Sequence, residues 1–331
     1  MNNEGGVKRM VFEINFNEYI EGKQRYKLLK HLGEGGFANT YLGMETKSKV
    51  RVTIKVAKTK NKDVKEVEAM HRREAAFIDI QSGYSPDCVQ LIESIEDPEN
   101  ERFIIVTNYV NGINFYDWLN SVLESPPPKY YAMLVENIFY PLAEFFSYIH
   151  QRGILHRVIT PSNVLITKKE KGTILPVVID WGTAINFDPA KYDESVPCLE
   201  ETRECEDKTY YTPGYEPPEI NLSKTCSART DIYSFGVFMF YAFTKGQSRR
   251  RTRSKESYKL SPREITLKCP QMLSDIVERC TEYEPTNRFN TFGEIAIALQ
   301  KYLKRAVGAN FKKVVRPNKL IYFRKKAANK I

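Results

Sequence analysis

The sequence contains no run of about 18 consecutive apolar residues, the minimum length expected for a membrane-spanning helix. A membrane span is therefore not expected. The first ten residues, MNNEGGVKRM, lack the apolar core of a secretion signal, and Asn2 stands where N-myristoylation requires a glycine. These absences favour an intracellular protein, either cytoplasmic or nuclear.

Paired cysteines are also lacking. The six cysteines are scattered along the chain and form no Cys-x-x-Cys motif. Neither a zinc site nor a disulfide framework is expected from this spacing, which is typical of reduced thiols in an intracellular protein.

The net charge of +9 is unevenly distributed. Residues 301–331 contain eleven Lys or Arg and no carboxylate, and a second basic run covers residues 249–255. Residues 188–207 contain eight carboxylates and only two basic residues. These runs could be solvated surfaces, could contact each other, or could bind phosphate, nucleic acid or an acidic protein surface.

The pattern of apolar residues changes near the end of the first third of the chain. Residues 26–110 are mainly strand-like, with one helical segment at 63–81, whereas the chain after residue 114 is mainly helical. We therefore predict an α+β fold with a small β-rich lobe, containing one main helix, and a larger helical lobe. The segment DIYSFGVFMFYAFTK is apolar on almost every side and predicts a buried helix.

A glycine-rich turn precedes a lysine on an apolar strand. The turn GEGGFA contains Gly33, Gly35 and Gly36, whose lack of side chains would let a hairpin approach phosphates closely. Lys55 follows in the strand VTIKVA, and Glu74 lies on the apolar stripe of the predicted helix. An unpaired buried charge is costly, so we predict an ion pair between Lys55 and Glu74. The alternative for Lys55 is a solvent-facing position on its strand.

Two further oxygen ligands come later in the chain. Asp180 ends the apolar strand VVID. Asn163 stands just before the predicted strand VLITK, which comes earlier in the chain. Carboxylate and amide oxygens suit Mg²⁺, which also keeps phosphate oxygens in its shell. The alternatives are a capping aspartate in a turn and an asparagine that bonds to its own turn.

In this order, these segments resemble the eukaryotic protein kinase superfamily, roughly from Tyr26 to Leu303. The matching segments are GEGGFA, VTIK, HRVITPSN, DWG, PPE and DIYSFG, together with the arginine of EPTNRF. The resemblance implies an N-terminal extension at 1–22, a kinase-like N-lobe at 23–108, a C-lobe at 109–303 and a basic tail at 304–331. It also implies ATP and Mg²⁺ as ligands.

The resemblance assigns roles residue by residue. Nucleotide binding falls to Gly33, Gly35, Gly36, Lys55, Asn108 and Val110. The metal ligands are Asn163 and Asp180, and the ion pair is Lys55 with Glu74. Structural roles fall to His156, Arg157, Glu219, Asp231 and Arg288.

The catalytic loop departs from the family at Val158. The family has an aspartate there, which accepts the proton of the substrate hydroxyl and orients that hydroxyl for attack. Valine can do neither, so the sequence predicts a pseudokinase with no catalytic base. Thr40 and Thr53 replace the usual valine and alanine beside the adenine, and their hydroxyl groups could obstruct nucleotide binding.

From these features we expect an allosteric regulator or scaffold that binds another protein, either a kinase or a kinase substrate. One alternative is an active or weakly active Ser/Thr protein kinase with an atypical catalytic loop. Another is a nucleic-acid-binding adaptor that acts through residues 301–331.

Overall fold

The computed structural model describes residues 25–60, 62–85, 87–97, 101–168, 173–187, 212–223, 226–247 and 255–307. The expectations for the N-terminal extension, for the acidic segment, for most of the basic run at 249–255 and for the tail beyond residue 307 lie outside these residues.

An antiparallel sheet of five strands forms the N-terminal lobe, in the order β1-β2-β3-β5-β4. The strands are β1 (Tyr26–Glu34), β2 (Ala38–Glu45), β3 (Arg51–Ala57), β4 (Leu91–Asp97) and β5 (Arg102–Asn108). Alternate side chains point to one face, where Val52 and Ile54 of β3 pack on Ile104 and Val106 of β5. The pairing of β3 with both β2 and β5 places Lys55 in the middle of the sheet.

One helix, α1 (Val64–Ser82), packs against this sheet. It begins at Asp63, whose side chain accepts a hydrogen bond from Lys65 N and so satisfies one of the free amides of the first turn. Val67, His71, Glu74 and Ile78 are buried, as the predicted stripe requires.

The helical lobe contains eight further helices among the described residues. They are α2 (Phe115–Glu124), α3 (Tyr130–Leu134), α4 (Tyr140–His150), α5 (Pro218–Ser223), α6 (Ala228–Phe243), α7 (Pro262–Ile265), α8 (Gln271–Cys280) and α9 (Phe292–Val307). A π-helical turn at Val135–Phe139 joins α3 to α4. Pro141 has no N–H for the preceding turn, and the Tyr140 N–H bonds to the carbonyl of Val135, five residues earlier.

Two small sheets of short strands position the predicted site residues of this lobe. β6 (Gly112–Asn114) pairs with β8 (Val164–Lys168), which pairs with β9 (Ile174–Val178), while β7 (Ile154–Leu155) pairs with β10 (Ile185–Asn186). The loop between β7 and β8 and the residues after β9 therefore lie side by side.

Helix α6 forms the centre of the helical lobe. Almost all of its residues are buried, as the sequence predicts. A Cβ atom at Gly236 would lie 2.5 Å from the Cβ of Cys280, so this glycine permits α6 and α8 to pack closely. The predicted two-lobed α+β architecture is confirmed. Within the described residues, no helix has the length and apolar character needed to cross a bilayer.

Candidate functional site

A cavity of about 690 Å³ separates the sheet from the helical lobe. The glycine-rich hairpin and β3 form its roof, residues 107–110 form its back edge, and the β7–β8 loop and residues 179–183 form its floor. The predicted site residues on its wall are Gly33, Gly35, Gly36, Lys55, Glu74, Asn108, Val110, Asn163 and Asp180. The fold thus gathers residues from distant parts of the sequence into one cleft.

Lys55 lies between two carboxylates at the centre of this cleft. Its ammonium donates to Glu74 Oε1 at 2.5 Å and to Asp180 Oδ1 at 2.8 Å. The Glu74 side chain is only 10% exposed, whereas that of Asp180 is 52% exposed and faces the open cavity. Asp180 also has a positive φ of 67°, an uncommon backbone conformation for a non-glycine residue.

The charges of this triad are interdependent. Burial would lower the pKa of Lys55, but the charges of Asp180 and Glu74 outweigh burial and raise it. The charge of Lys55 holds the pKa of Asp180 below its ordinary value. Burial raises the pKa of Glu74, and Lys55 opposes that effect. With all three groups ionised, the site has one excess negative charge, which a cation at Asp180 would neutralise.

The glycine-rich hairpin is open towards the cavity. A Cβ atom added to Gly33 or Gly36 would meet no other atom within 4 Å. The hairpin closes through a hydrogen bond from Gly35 N to Ala38 O at 2.8 Å. Both Gly33 and Gly36 line the cavity and have open space beside them, which leaves room for a ligand near the hairpin.

The β7–β8 loop places Asn163 beside Val158. The Asn163 side-chain amide donates to the Val158 carbonyl at 3.0 Å, which leaves its Oδ1 atom as the potential metal ligand. No carboxylate exists at position 158, so the loop itself supplies no general base there. Thr160 and Ser162 share a hydrogen bond at 2.7 Å in the same loop.

Asp231, in the first turn of α6, holds this loop from below. Its carboxylate accepts hydrogen bonds from the backbone N–H of His156 at 2.8 Å and from that of Arg157 at 2.7 Å. It also accepts a hydrogen bond from His150 Nε2 at 3.0 Å. The role of His150 escaped the sequence reasoning, because a histidine at the end of an apolar helix gives no signal of a partner 81 residues away.

His156 does not point into the cleft. Its ring is fully buried, and its centroid lies 4.7 Å from that of Trp181. Neither ring nitrogen of His156 has a hydrogen-bond partner among the described residues. Burial lowers the pKa of His156, which packs against Trp181 and does not face the cavity.

Glu219 and Arg288 form a buried ion pair in the helical lobe. The two terminal nitrogens of Arg288 lie 2.7 and 2.8 Å from the two carboxylate oxygens of Glu219. Arg157 is also buried, at 4% exposure, and has a positive φ of 71°. None of these three residues lines the cavity.

Threonines occupy four positions on the cavity wall. Thr40 and Thr53 lie in the roof, Thr107 lies at the back edge, and Thr183 lies in the floor. Gln81 of α1 also lines the cavity, is fully buried, and has no side-chain partner among the described residues. The sequence reasoning missed Gln81, whose one possible signal was its position on the buried stripe of α1.

A sequence profile described as "Protein kinase domain" matches residues 26–302 of the chain. This span contains every residue of the cleft. The chain belongs to the protein kinase family. The resemblance to this family that the sequence motifs indicate is thereby confirmed, whereas pseudokinase status remains a prediction.

Two curated relatives illustrate the similarity of this kinase domain to bacterial proteins. It is 28% identical over 308 residues to the serine/threonine-protein kinase PknD of Chlamydia trachomatis, covering 85% of this chain and 32% of PknD. It is 25% identical over 278 residues to serine/threonine-protein kinase D of Synechocystis, covering 82% of this chain and 51% of the relative. The chain thus spans about a third of the length of PknD and about half of the length of the Synechocystis protein.

A solved structure shows the same fold. The kinase domain of Mycobacterium tuberculosis PknI superposes with a TM-score of 0.59 at 18% identity, over 84% of this chain and 96% of that domain. At this identity, the similarity supports the shared architecture alone.

Proposed function

We propose that this kinase domain binds ATP with Mg²⁺ and transfers phosphate to Ser or Thr hydroxyls of proteins at a rate limited by the missing base. The observation that carries the proposal is the contact of Lys55 with both Glu74 and Asp180 in an open cleft. The names of the relatives, all serine/threonine-protein kinases, favour this function over a purely non-catalytic one.

Each charged group has a task in this proposal. Lys55, held by Glu74, directs its ammonium towards phosphate oxygens, while Asp180 and Asn163 Oδ1 supply the oxygen ligands that Mg²⁺ prefers. Bound Mg²⁺ would offset the excess negative charge of the triad and the charge of the phosphates. Asn108 and Val110 lie along the back edge of the cavity, where the Asn108 N–H already donates to Gln90 O and the Val110 carbonyl already accepts from Gly112 N.

The transfer itself joins the substrate hydroxyl oxygen to the γ-phosphorus and breaks the bond from that phosphorus to the β–γ bridging oxygen. The hydroxyl proton has no acceptor at Val158 and passes to a phosphate oxygen or to water. A general base contributes about 10²–10⁴-fold to such a rate, so we expect transfer to be slower by that factor.

A second candidate is an allosteric regulator or scaffold that binds nucleotide without transferring phosphate. Val158 is the observation that favours it, because a domain that only switches between conformations has no need of a base. Its partner would be another protein, such as an active kinase. The nucleic-acid-binding alternative depends on residues 301–331, most of which lie outside the described residues.

Calorimetry and peptide phosphorylation distinguish these functions. We expect Mg²⁺-dependent ATP binding by the present chain, loss of most of that binding in Lys55→Met, and slow Lys55-dependent labelling of Ser/Thr peptides. Binding without labelling would support the regulator, and no binding at all would contradict both candidates.

A further inference from the structure

The segment between β3 and α1 has a lysine at every second position. It runs Lys58-Thr59-Lys60-Asn61-Lys62, directly after the strand that carries Lys55. Its first and last lysines are half-buried, whereas Lys60 is exposed. This difference indicates that Lys58 and Lys62 have partners that Lys60 does not share.

Those partners are carbonyl oxygens of the glycine-rich hairpin. Lys58 Nζ donates to Gly35 O at 2.9 Å and also to Glu34 Oε1 at 2.5 Å. Lys62 Nζ donates to Gly36 O at 3.1 Å. The two lysines therefore bind the carbonyl groups of two successive glycines, which have no side chains of their own.

A second contact strengthens the hold of Lys62 on the hairpin. Its ammonium lies 4.6 Å from the centroid of the Phe37 ring, within the range of a cation–π interaction. The backbone N–H of Lys58 also donates to the Phe37 carbonyl at 2.7 Å. The lysine segment and the tip of the hairpin are thus connected through both side-chain and backbone contacts.

Peptide geometry gives these contacts a consequence for ligand binding. In a planar trans peptide the N–H points away from the C=O of the same unit. Because Lys58 fixes the carbonyl of Gly35, it fixes the direction of the Gly36 N–H. Lys62 fixes the Phe37 N–H in the same way through the carbonyl of Gly36.

We propose that Lys58 and Lys62 are positioning residues that hold the hairpin closed and aim the backbone amides of Gly36 and Phe37 at the phosphates of a nucleoside triphosphate. Successive backbone amides in a turn make a site suited to anions. The two ammonium groups also raise the positive potential near the hairpin. The ligand class follows from the proposed nucleotide site, on which this inference rests.

The pair of Lys58 with Glu34 does not explain the arrangement by itself. The Glu34 side chain is 66% exposed, and surface ion pairs of this kind contribute little. The carbonyl contacts are the feature that connects these lysines to the ligand-facing amides.

Hydrogen exchange of the ligand-free protein tests the clamp without any nucleotide. Amides of residues 33–38 should exchange about tenfold faster in Lys58→Met and in Lys62→Met, because the hairpin opens more often. Lys60→Met is the matched control, with the same loss of charge in the same segment, and should leave these amides unchanged. Lys58→Arg retains donors and charge and should restore much of the protection.

Binding measurements then test the role of the clamp towards phosphates. We expect the Kd for ATP with Mg²⁺ to rise about tenfold in the double variant Lys58→Met/Lys62→Met. The affinity for adenosine, which has no phosphates, should remain within about twofold of the parent value. A change of similar size in Lys60→Met, or an equal loss of ATP and adenosine binding, would overturn the inference.

The two hypotheses fail in different ways. Unchanged exchange in residues 33–38 overturns the clamp whether or not ATP binds. If no variant binds ATP, the proposed nucleotide function fails, together with the phosphate-aiming role. Faster exchange in the Lys58 and Lys62 variants would then support only the closing of the hairpin by the lysines.

Discussion

The side-chain amide of Asn163 donates a hydrogen bond to the backbone carbonyl of Val158 at 3.0 Å. This bond uses the main chain at position 158, so it does not depend on which side chain is present there. Asp231 likewise holds the loop through the backbone amides of His156 and Arg157. The catalytic loop therefore keeps its shape although its carboxylate is missing.

The hydroxyl of Thr53 should weaken nucleotide binding. Thr53 lies in the roof of the cavity, where a flat apolar ring would leave its hydroxyl without water. We expect Thr53→Ala to lower the Kd for ATP about fivefold, equivalent to about 1 kcal/mol. Isothermal calorimetry would measure this change. Thr46→Ala, just beyond the far end of β2, is the control, and weaker binding in Thr53→Ala would contradict the expectation.

His71 should make the free energy of unfolding depend on pH in the mildly acidic range. Burial lowers its pKa from 6.5 to about 4, and its Nε2 atom lies 2.9 Å from Ser94 Oγ. The unfolded chain therefore binds a proton more readily than the folded protein. This contribution to stability is fully present above about pH 6.5 and is lost as the pH falls towards about 4.

Denaturant unfolding of His71→Gln, at several pH values, checks this prediction. We expect the variant to lose less stability than the parent between about pH 6.5 and 4. His31→Gln is the control, because His31 is exposed on β1. Equal slopes for the parent and His71→Gln would show that His71 does not control the titration.

The ion pair of Arg288 with Glu219 should be important for the stability of the helical lobe. Arg288 has no exposed side-chain surface, and its NH1 and NH2 groups also donate to the carbonyls of Arg229 and Tyr283. Arg288→Met leaves the Glu219 carboxylate without its cation, so we expect a loss of about 3–5 kcal/mol in unfolding free energy.

The exposed pair of Lys259 with Glu282 provides a comparison within the same lobe. Lys259 is 45% exposed, so Lys259→Met should cost less than about 1 kcal/mol. Urea unfolding of both variants measures the contrast. A similar small loss in both would contradict a stabilising role for the buried pair.

Gln81 should be replaceable by an apolar residue with a gain in stability. Its amide is fully buried and has no partner among the described residues, and an unsatisfied buried polar group costs about 1–3 kcal/mol. We expect Gln81→Leu to raise the melting temperature. Gln90→Leu should lower it, because Gln90 donates to the carbonyls of Ser85 and Cys88. A loss of stability in Gln81→Leu would reveal a partner such as a bound water molecule.

The two-lobed fold could be predicted from the sequence because its signals are local. The alternation in β3, the buried stripe of α1 and the apolar length of α6 each specify an element. Pairing of Lys55 with Glu74 followed from the cost of burying either charge alone. By contrast, the contacts of Lys58 and Lys62 with hairpin carbonyls could not be predicted. Every residue has a backbone carbonyl, so the sequence does not indicate which of them accepts a hydrogen bond. The hydrogen bond between His150 and Asp231 could not be predicted either, because it depends on how α4 packs against α6.

The most direct test of the central hypothesis is phosphate transfer by Val158→Asp. Because the loop is held through its backbone, we expect the new carboxylate to increase the transfer rate to Ser/Thr peptides by about 10²–10⁴-fold. Adding Lys55→Met should abolish the gain, and Val158→Asn, similar in size but without charge, should not reproduce it. No gain in Val158→Asp, in a folded protein that binds ATP, would contradict the view that the site lacks only its base.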